Sequence, residues 1–127
     1  MKIKDIMNKN IIAMESSSKV SDVMRQMITN KIRSVLITPK DNTDSFGVLS
    51  VRDIVFKVLA KGLDPKNVEA SEIVTKPVIC IKKDMPIEHL LSMMKSYNIA
   101  RVFVAEEGTI VGVVALMDFI KGYLKED

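Results

Sequence analysis

The sequence predicts an α/β fold made of two copies of one small unit, and three observations support this. The second half matches the first when it is shifted by 67 residues, so that residues 11–14 fall on residues 78–81. The offset drops to 65 where residues 47–50 meet residues 112–115, which places a two-residue insertion in a polar loop. Within each half, short runs rich in β-branched residues alternate with apolar stripes at helical spacing. Both halves are therefore expected to have the same architecture.

The first copy is expected to run strand, helix, strand, strand, helix after a short leading helical turn. Residues 11–14 give the first strand. The next helix is predicted by an amphipathic stripe: Val20, Val23, Met24, Met27 and Ile28. Residues 35–37 and 46–49 are too short for helices and predict two strands of a hairpin. A second stripe predicts the closing helix, which Gly62 should end: Val51, Ile54, Val55, Val58 and Leu59.

The second copy repeats these features in the same order. Its first helix is predicted by Ile87, Leu90, Leu91 and Met94, and its last by Leu116, Phe119, Ile120, Tyr123 and Leu124. Between them, residues 102–104 and 110–114 predict strands, with a turn at residues 106–108. The chain is divided into residues 1–62 and 63–127. Because a unit of roughly 60 residues buries little apolar surface, the copies are expected to pack as a pseudo-twofold pair.

Composition narrows the classes of function. A chain of 127 residues excludes a large enzyme, and no Ser-His-acid set, phosphate-binding loop or paired-carboxylate arrangement stands out, so a non-enzymatic role is expected. The charged start and the lack of an apolar run of roughly 18 residues predict a cytoplasmic protein without a membrane segment. Cys80, in an apolar run, is expected to be a buried thiol, and His89, off the helical stripe, a surface residue.

The segment of residues 47–53 allows two interpretations. Ser50 and Asp53 have the spacing of a helix capping box, in which each side chain bonds the backbone amide of the other residue. On spacing alone, the cap is the favoured interpretation. Because the second copy repeats the glycine and the aspartate at Gly112 and Asp118, with Ala115 in place of the serine, the repeat favours ligand binding instead.

This layout resembles the cystathionine β-synthase (CBS) domain pair, or Bateman module, over nearly the whole chain. The resemblance is carried by residues 47–53 and 112–118, by residues 32–35 and 99–102 entering a strand, and by first strands near Ile11 and Val78. It implies a fold of tandem CBS motifs and a regulatory module that binds an adenine nucleotide (AMP, ADP or ATP), or S-adenosylmethionine or NAD. It also implies no catalytic cofactor.

The resemblance implies two pseudo-symmetric sites, each with an aspartate for the ribose hydroxyls and an arginine for phosphate. The first site, expected to be the better one, comprises Arg33, Ser50, Asp53, Lys76, Val78, Ile79 and Arg101. The second comprises Asn10, Ile11, Ile12, Arg101, Ala115 and Asp118. Ala115 lacks the hydroxyl of Ser50 and should weaken the second site. No metal site is expected, since the single histidine and single cysteine lie in different elements.

Two other functions stay open. The helical stripes, rich in methionine, could continue into a homodimer interface, so the chain could be a purely structural dimerisation module. A net charge of +3 also permits nucleic-acid binding, but scattered lysines and only six aromatic residues make a solvated surface the better interpretation. An adenine-ligand sensor that acts on another, unidentified protein is the leading hypothesis.

Overall fold

The computed structural model describes residues 1–126 and contains the predicted strands and helices in the predicted order. The strands are β1 (Ala13–Met14), β2 (Ser34–Ile37), β3 (Gly47–Ser50), β4 (Cys80–Lys82), β5 (Arg101–Glu106) and β6 (Thr109–Ala115). The helices are α1 (Ile3–Ile6), α2 (Val20–Asn30), α3 (Val51–Ile54), α4 (Ile87–Ser96) and α5 (Leu116–Glu126). Helix α3 continues as a π-helical turn, Val55–Leu59, and two 3₁₀ turns follow at Pro65–Asn67 and Ala70–Glu72.

The chain forms two compact units whose boundaries differ from those of the sequence repeat. One unit is residues 12–78, and the other combines residues 1–11 with the chain from Ile79 onward. In the first unit, Val48 and Thr75 exchange two backbone hydrogen bonds, of 2.9 and 3.0 Å. In the second unit, Asn8 and Val113 form the equivalent bridge. The leading segment of each copy therefore pairs with the hairpin of the other copy.

The unit of residues 12–78 contains the sheet β1-β2-β3. Strand β1 runs parallel to β2, and β2 pairs antiparallel with β3, with Ser34 opposite Ser50. Three of the five predicted α2 residues, Val20, Val23 and Met27, are buried in its core. The prediction is wrong for Ile28, which is 81% exposed, because the stripe on α2 is narrower than the sequence pattern suggested.

The second unit contains the sheet β4-β5-β6, with β4 parallel to β5 and β5 antiparallel to β6. Its hairpin turns through Glu107 and Gly108, both with positive φ (50° and 79°), as a type I′ turn requires. The prediction that Cys80 is buried is wrong: along β4 only Ile81 faces the core, and Cys80 points to the opposite, exposed side. His89 is exposed, as predicted.

The closing helices of both copies leave most of their apolar side chains exposed. Of the predicted α3 stripe, Ile54 and Val58 are buried. Exposed apolar side chains around that helix and its π-helical turn are Val51, Val55, Phe56 and Leu59. On α5 they are Leu116, Met117, Ile120, Tyr123 and Leu124. Within residues 1–126, no helix combines the length and apolar character needed to cross a membrane.

Candidate functional site

Ser50 and Asp53 lie where strand β3 passes directly into helix α3. The amide of Val51 donates to the Arg33 carbonyl at 3.0 Å, which fixes the helix start against the beginning of β2. The Asp53 amide donates to Ser50 Oγ at 3.1 Å, and the Ser50 amide donates to Asp53 Oδ2 at 2.9 Å. The capping box that the spacing predicts is therefore formed, and it orients the Asp53 carboxylate.

Two further side chains, which the sequence analysis missed, reach the same carboxylate. Lys57 Nζ lies 3.0 Å from Asp53 Oδ1, and Thr75 Oγ1 donates to Oδ1 at 3.4 Å. Burial raises the pKa of Asp53, whose side chain is 13% exposed, but hydrogen bonds from Ser50 and Lys57 outweigh it and the net pKa is lowered. Asp53 is therefore ionised at neutral pH. The i, i+4 spacing of Asp53 and Lys57 signalled one contact, whereas Thr75 depends on tertiary structure.

Gly47 allows the chain around Thr75 to approach the hairpin. A Cβ atom at Gly47 would collide with the side chains of Val74 and Lys76 and lie 3.2 Å from the Thr75 carbonyl oxygen. The segment that carries Lys76 and Val78 therefore belongs to the same unit as Ser50 and Asp53. The glycine of the repeated motif thus serves a close backbone approach.

Lys76 already has an acidic partner. Its ammonium lies 2.6 Å from Asp44 Oδ1, in the hairpin loop that carries the two-residue insertion. The hydrogen bond from Lys76, with others from the amides of Lys40 and Ser45, lowers the pKa of Asp44 to about 2. The loop that carries the insertion therefore supplies a carboxylate that positions a predicted ligand-binding lysine.

The two predicted arginines are not equivalent in strand register. Arg33 is exposed and precedes β2, whereas Arg101 is the first residue of β5, paired with Ala115. The pairing equivalent to Arg101–Ala115 in the other sheet is Ser34–Ser50. Arg33 therefore stands one residue before the position equivalent to Arg101, as the aligned segments 32–35 and 99–102 also show.

The second predicted site is built in the same way but with fewer donors. Asp118 Oδ2 accepts a hydrogen bond from the Ala115 amide at 2.8 Å, which is half of a capping box. Asn10, Ile11 and Arg101 belong to the same unit as these two residues. Ile12, predicted for this site, belongs to the other unit, and Ile79 and Arg101, predicted for the first site, lie outside the unit of Asp53.

Other regions of the described chain offer little further chemistry. The side chains described for residues 1–125 include no cluster of three or more His, Cys, Asp or Glu that could hold a metal ion. An open groove of about 490 Å³ lies between α2 and the first 3₁₀ turn, lined by residues including Met24, Ile28 and Pro65. None of the residues predicted for either nucleotide site lines this groove.

Curated relatives match nearly the whole chain. An uncharacterised protein of Methanocaldococcus jannaschii is 32% identical over 117 residues, or 91% of this chain and 62% of the relative. An uncharacterised protein of Methanopyrus kandleri is 25% identical over 120 residues, or 94% of this chain and 61% of the relative. The chain thus spans about three fifths of the length of these relatives.

Solved structures share the fold. A hexameric CBS-CP12 protein from bloom-forming cyanobacteria superposes with a TM-score of 0.85 at 28% identity, over 94% of this chain and 69% of that one. The CBS domain pair of protein MJ0100, in complex with 5′-methylthioadenosine and S-adenosyl-L-methionine, gives a TM-score of 0.77 at 28% identity, over 97% and 99% of the two chains. The sequence profile of the CBS domain matches residues 3–60 and again residues 70–125. With the duplicated fold, this double match shows that the chain belongs to the CBS domain family and is a tandem CBS pair.

Proposed function

We propose that this CBS pair is a non-catalytic regulatory module that binds an adenosine-containing ligand and signals to a partner protein. The expected ligands are AMP, ADP or ATP, with S-adenosylmethionine and NAD as alternatives that carry the same adenosine. Asp53 and Asp118 accept the ribose hydroxyls. Ligand binding alters the partner only if the two states of the module differ in affinity for the ligand.

The observation that carries this proposal is the ionised Asp53 carboxylate at the junction of β3 and α3. An ionised carboxylate accepts two hydrogen bonds from vicinal hydroxyls, and such charge-assisted bonds are stronger than neutral ones. Lys76, in the adjacent segment of the same unit, and Arg33, next to the helix start, offer positive charge for a phosphate group.

The comparison with MJ0100 supports an adenosyl ligand. That CBS pair was solved with two adenosyl compounds, one without a charged tail and one with a sulfonium group. Neither compound carries phosphate, so the similarity supports recognition of adenosine more than of any particular tail. The tail is what separates the nucleotides from S-adenosylmethionine, and it decides which ligand the module senses.

Calorimetric titration with AMP, ADP, ATP, S-adenosylmethionine and NAD, and with GMP as the base control, tests the proposal. Asp53→Asn and Asp118→Asn keep a carbonyl oxygen for the capping amide but lose the charge, so each should reduce binding at one site. Asp5→Asn is the matched control, because Asp5 accepts from the Lys2 amide at 3.1 Å in a similar cap. Absence of binding by every adenosine compound, or equal loss in all three variants, would contradict the proposal.

Self-association is the second part of the proposal. The exposed apolar side chains of α5 and of α3 with its π-helical turn give each unit an uncovered helical surface, and burial of such surface favours a homodimer. A related structure is hexameric, which supports assembly without fixing its size. A chain that assembles but binds no adenosine compound would instead be a structural dimerisation module.

A further inference from the structure

Each oxygen of the Asp53 carboxylate has two donors from the chain itself. Oδ2 accepts from the Ser50 amide at 2.9 Å and from the Ser50 hydroxyl at 3.0 Å. Oδ1 accepts from Thr75 at 3.4 Å and pairs with Lys57 at 3.0 Å. Because an ionised carboxylate offers about four lone-pair sites, a further donor reaches Asp53 only by replacing one of these four.

The bonds to Oδ1 are the replaceable ones. The two Ser50 bonds belong to the capping box and hold the start of α3. Lys57, by contrast, has a side chain that is 42% exposed, so water can solvate its ammonium once it leaves the carboxylate. Its second bond, to the Ile73 carbonyl at 3.0 Å, keeps the ammonium next to Asp53 rather than in solvent. Lys57 therefore competes directly with any hydroxyl that approaches Oδ1.

The second copy lacks two of the three donor side chains, and the third, the Asn8 amide, makes no hydrogen bond to Asp118 within residues 1–125. The positions equivalent to Ser50, Lys57 and Thr75 are occupied by Ala115, Gly122 and Asn8. Gly122 packs so closely on Ile6 that a Cβ atom there would collide with the Ile6 side chain. Among residues 1–125, the hydrogen-bond donor to the Asp118 carboxylate is the Ala115 amide, at 2.8 Å.

We propose that Lys57 competes with ribose hydroxyls for the Asp53 carboxylate, so that an adenosine ligand binds the Asp118 copy more tightly than the Asp53 copy. This inference rests on the proposed function. It reverses the order expected from sequence, in which Ser50 made the first site the better one. Ribose must displace the Lys57 ammonium from Oδ1 in the first copy. In the second copy, no lysine corresponds to Lys57, so ribose can bind Asp118 without displacing an ammonium. Because the Lys57 side chain is 42% exposed, breaking its ion pair with Asp53 should weaken ribose binding only about two- to fivefold.

Titration with adenosine isolates this effect, because an uncharged ligand gives no salt dependence through a phosphate. In an Asp118→Asn background, which leaves the first site, Lys57→Met should tighten adenosine binding about two- to fivefold. Raising the salt concentration screens the ion pair, so it should tighten binding in the parent and not in the Lys57→Met variant. Lys57→Gln should act in the same direction, and Lys61→Met, one turn further along, is the control that should change nothing.

The outcomes separate this inference from the proposed function. Adenosine binding that Lys57→Met leaves unchanged or weakens would overturn the inference while the function stands. Tighter binding by the Asp118→Asn chain than by the Asp53→Asn chain would also overturn it. A wild-type chain that binds none of the adenosine compounds would overturn the function and, with it, the role of Lys57. Circular dichroism melting of each variant identifies any loss of binding that comes from unfolding.

Discussion

Exchanging serine and alanine at the two equivalent cap positions tests the physical basis of the asymmetry between the copies. Ser50 Oγ accepts from the Asp53 amide at 3.1 Å and donates to Asp53 Oδ2 at 3.0 Å. Losing a serine N-cap costs about 1 kcal/mol. Loss of the hydroxyl as a donor should add little to this cost, because Asp53 Oδ2 still accepts from the backbone amide of residue 50. Ser50→Ala should therefore lower the free energy of unfolding by about 1 kcal/mol, or the melting temperature by about 4 °C.

The reciprocal change, Ala115→Ser, should stabilise the protein. Asp118 already accepts from the Ala115 amide, so half of the capping box is formed. A hydroxyl added at position 115 should complete it and raise the free energy of unfolding by about 0.5–1 kcal/mol. Urea unfolding followed by circular dichroism measures both changes, with Ser45→Ala in the exposed hairpin loop as the control. A Ser50→Ala variant as stable as the Ser45→Ala control would refute the cap as an energetic feature. Destabilisation by Ala115→Ser would show that the second copy lacks the equivalent geometry.

Two further predictions concern charge and assembly. Hydrogen bonds, the largest of them from Lys76, lower the pKa of Asp44 to about 2, whereas an unfolded aspartate has a pKa of roughly 3.9. The stability that this pair contributes is therefore fully present above roughly pH 3.9 and is lost as the pH falls towards 2. Melting curves of wild type and Asp44→Asn should converge in acid, and a constant difference at every pH would argue against the pair. Leu59→Glu and Ile120→Glu put a charge on the exposed apolar surfaces, so each should reduce the mass of the assembly measured by light scattering. Ile28→Glu, at an exposed position of α2, is the control and should not change it. An unchanged mass in both test variants would exclude these helices from the interface.

Local signals predicted much of this fold. The turn at residues 106–108 and the capping box of Ser50 and Asp53 depend on neighbours within four residues, so spacing and residue type were enough to predict both. Burial of Cys80 was predicted wrongly because a continuous apolar run does not reveal which alternate side chains face the core. The two arginines differ by one residue in the repeat, and the strand bounds place only Arg101 inside a strand.

The residue pattern alone does not show which hairpin each leading segment pairs with; it was the family resemblance that placed Lys76 and Val78 beside Asp53. The segments around Asn8 and Thr75 occupy equivalent places in the repeat, so either could pair with either hairpin without changing the hydrophobic pattern. Only tertiary packing distinguishes the two arrangements. Thr75 was therefore missed as a neighbour of Asp53, although its contact at 3.4 Å belongs to the same site.

The two copies conserve backbone geometry more strictly than side-chain chemistry, and this difference bears on regulation. The bridges Val48–Thr75 and Asn8–Val113 are equivalent, and Asp53 and Asp118 each accept from the amide three residues earlier. The donors around the carboxylates differ, because the second copy has no counterpart of the Lys57 ammonium. If the proposed function holds, one scaffold thus presents two acceptors with unequal affinity for the same ligand. Unequal sites would fill at different concentrations, so a single pair could respond over a wider range of ligand than two identical sites.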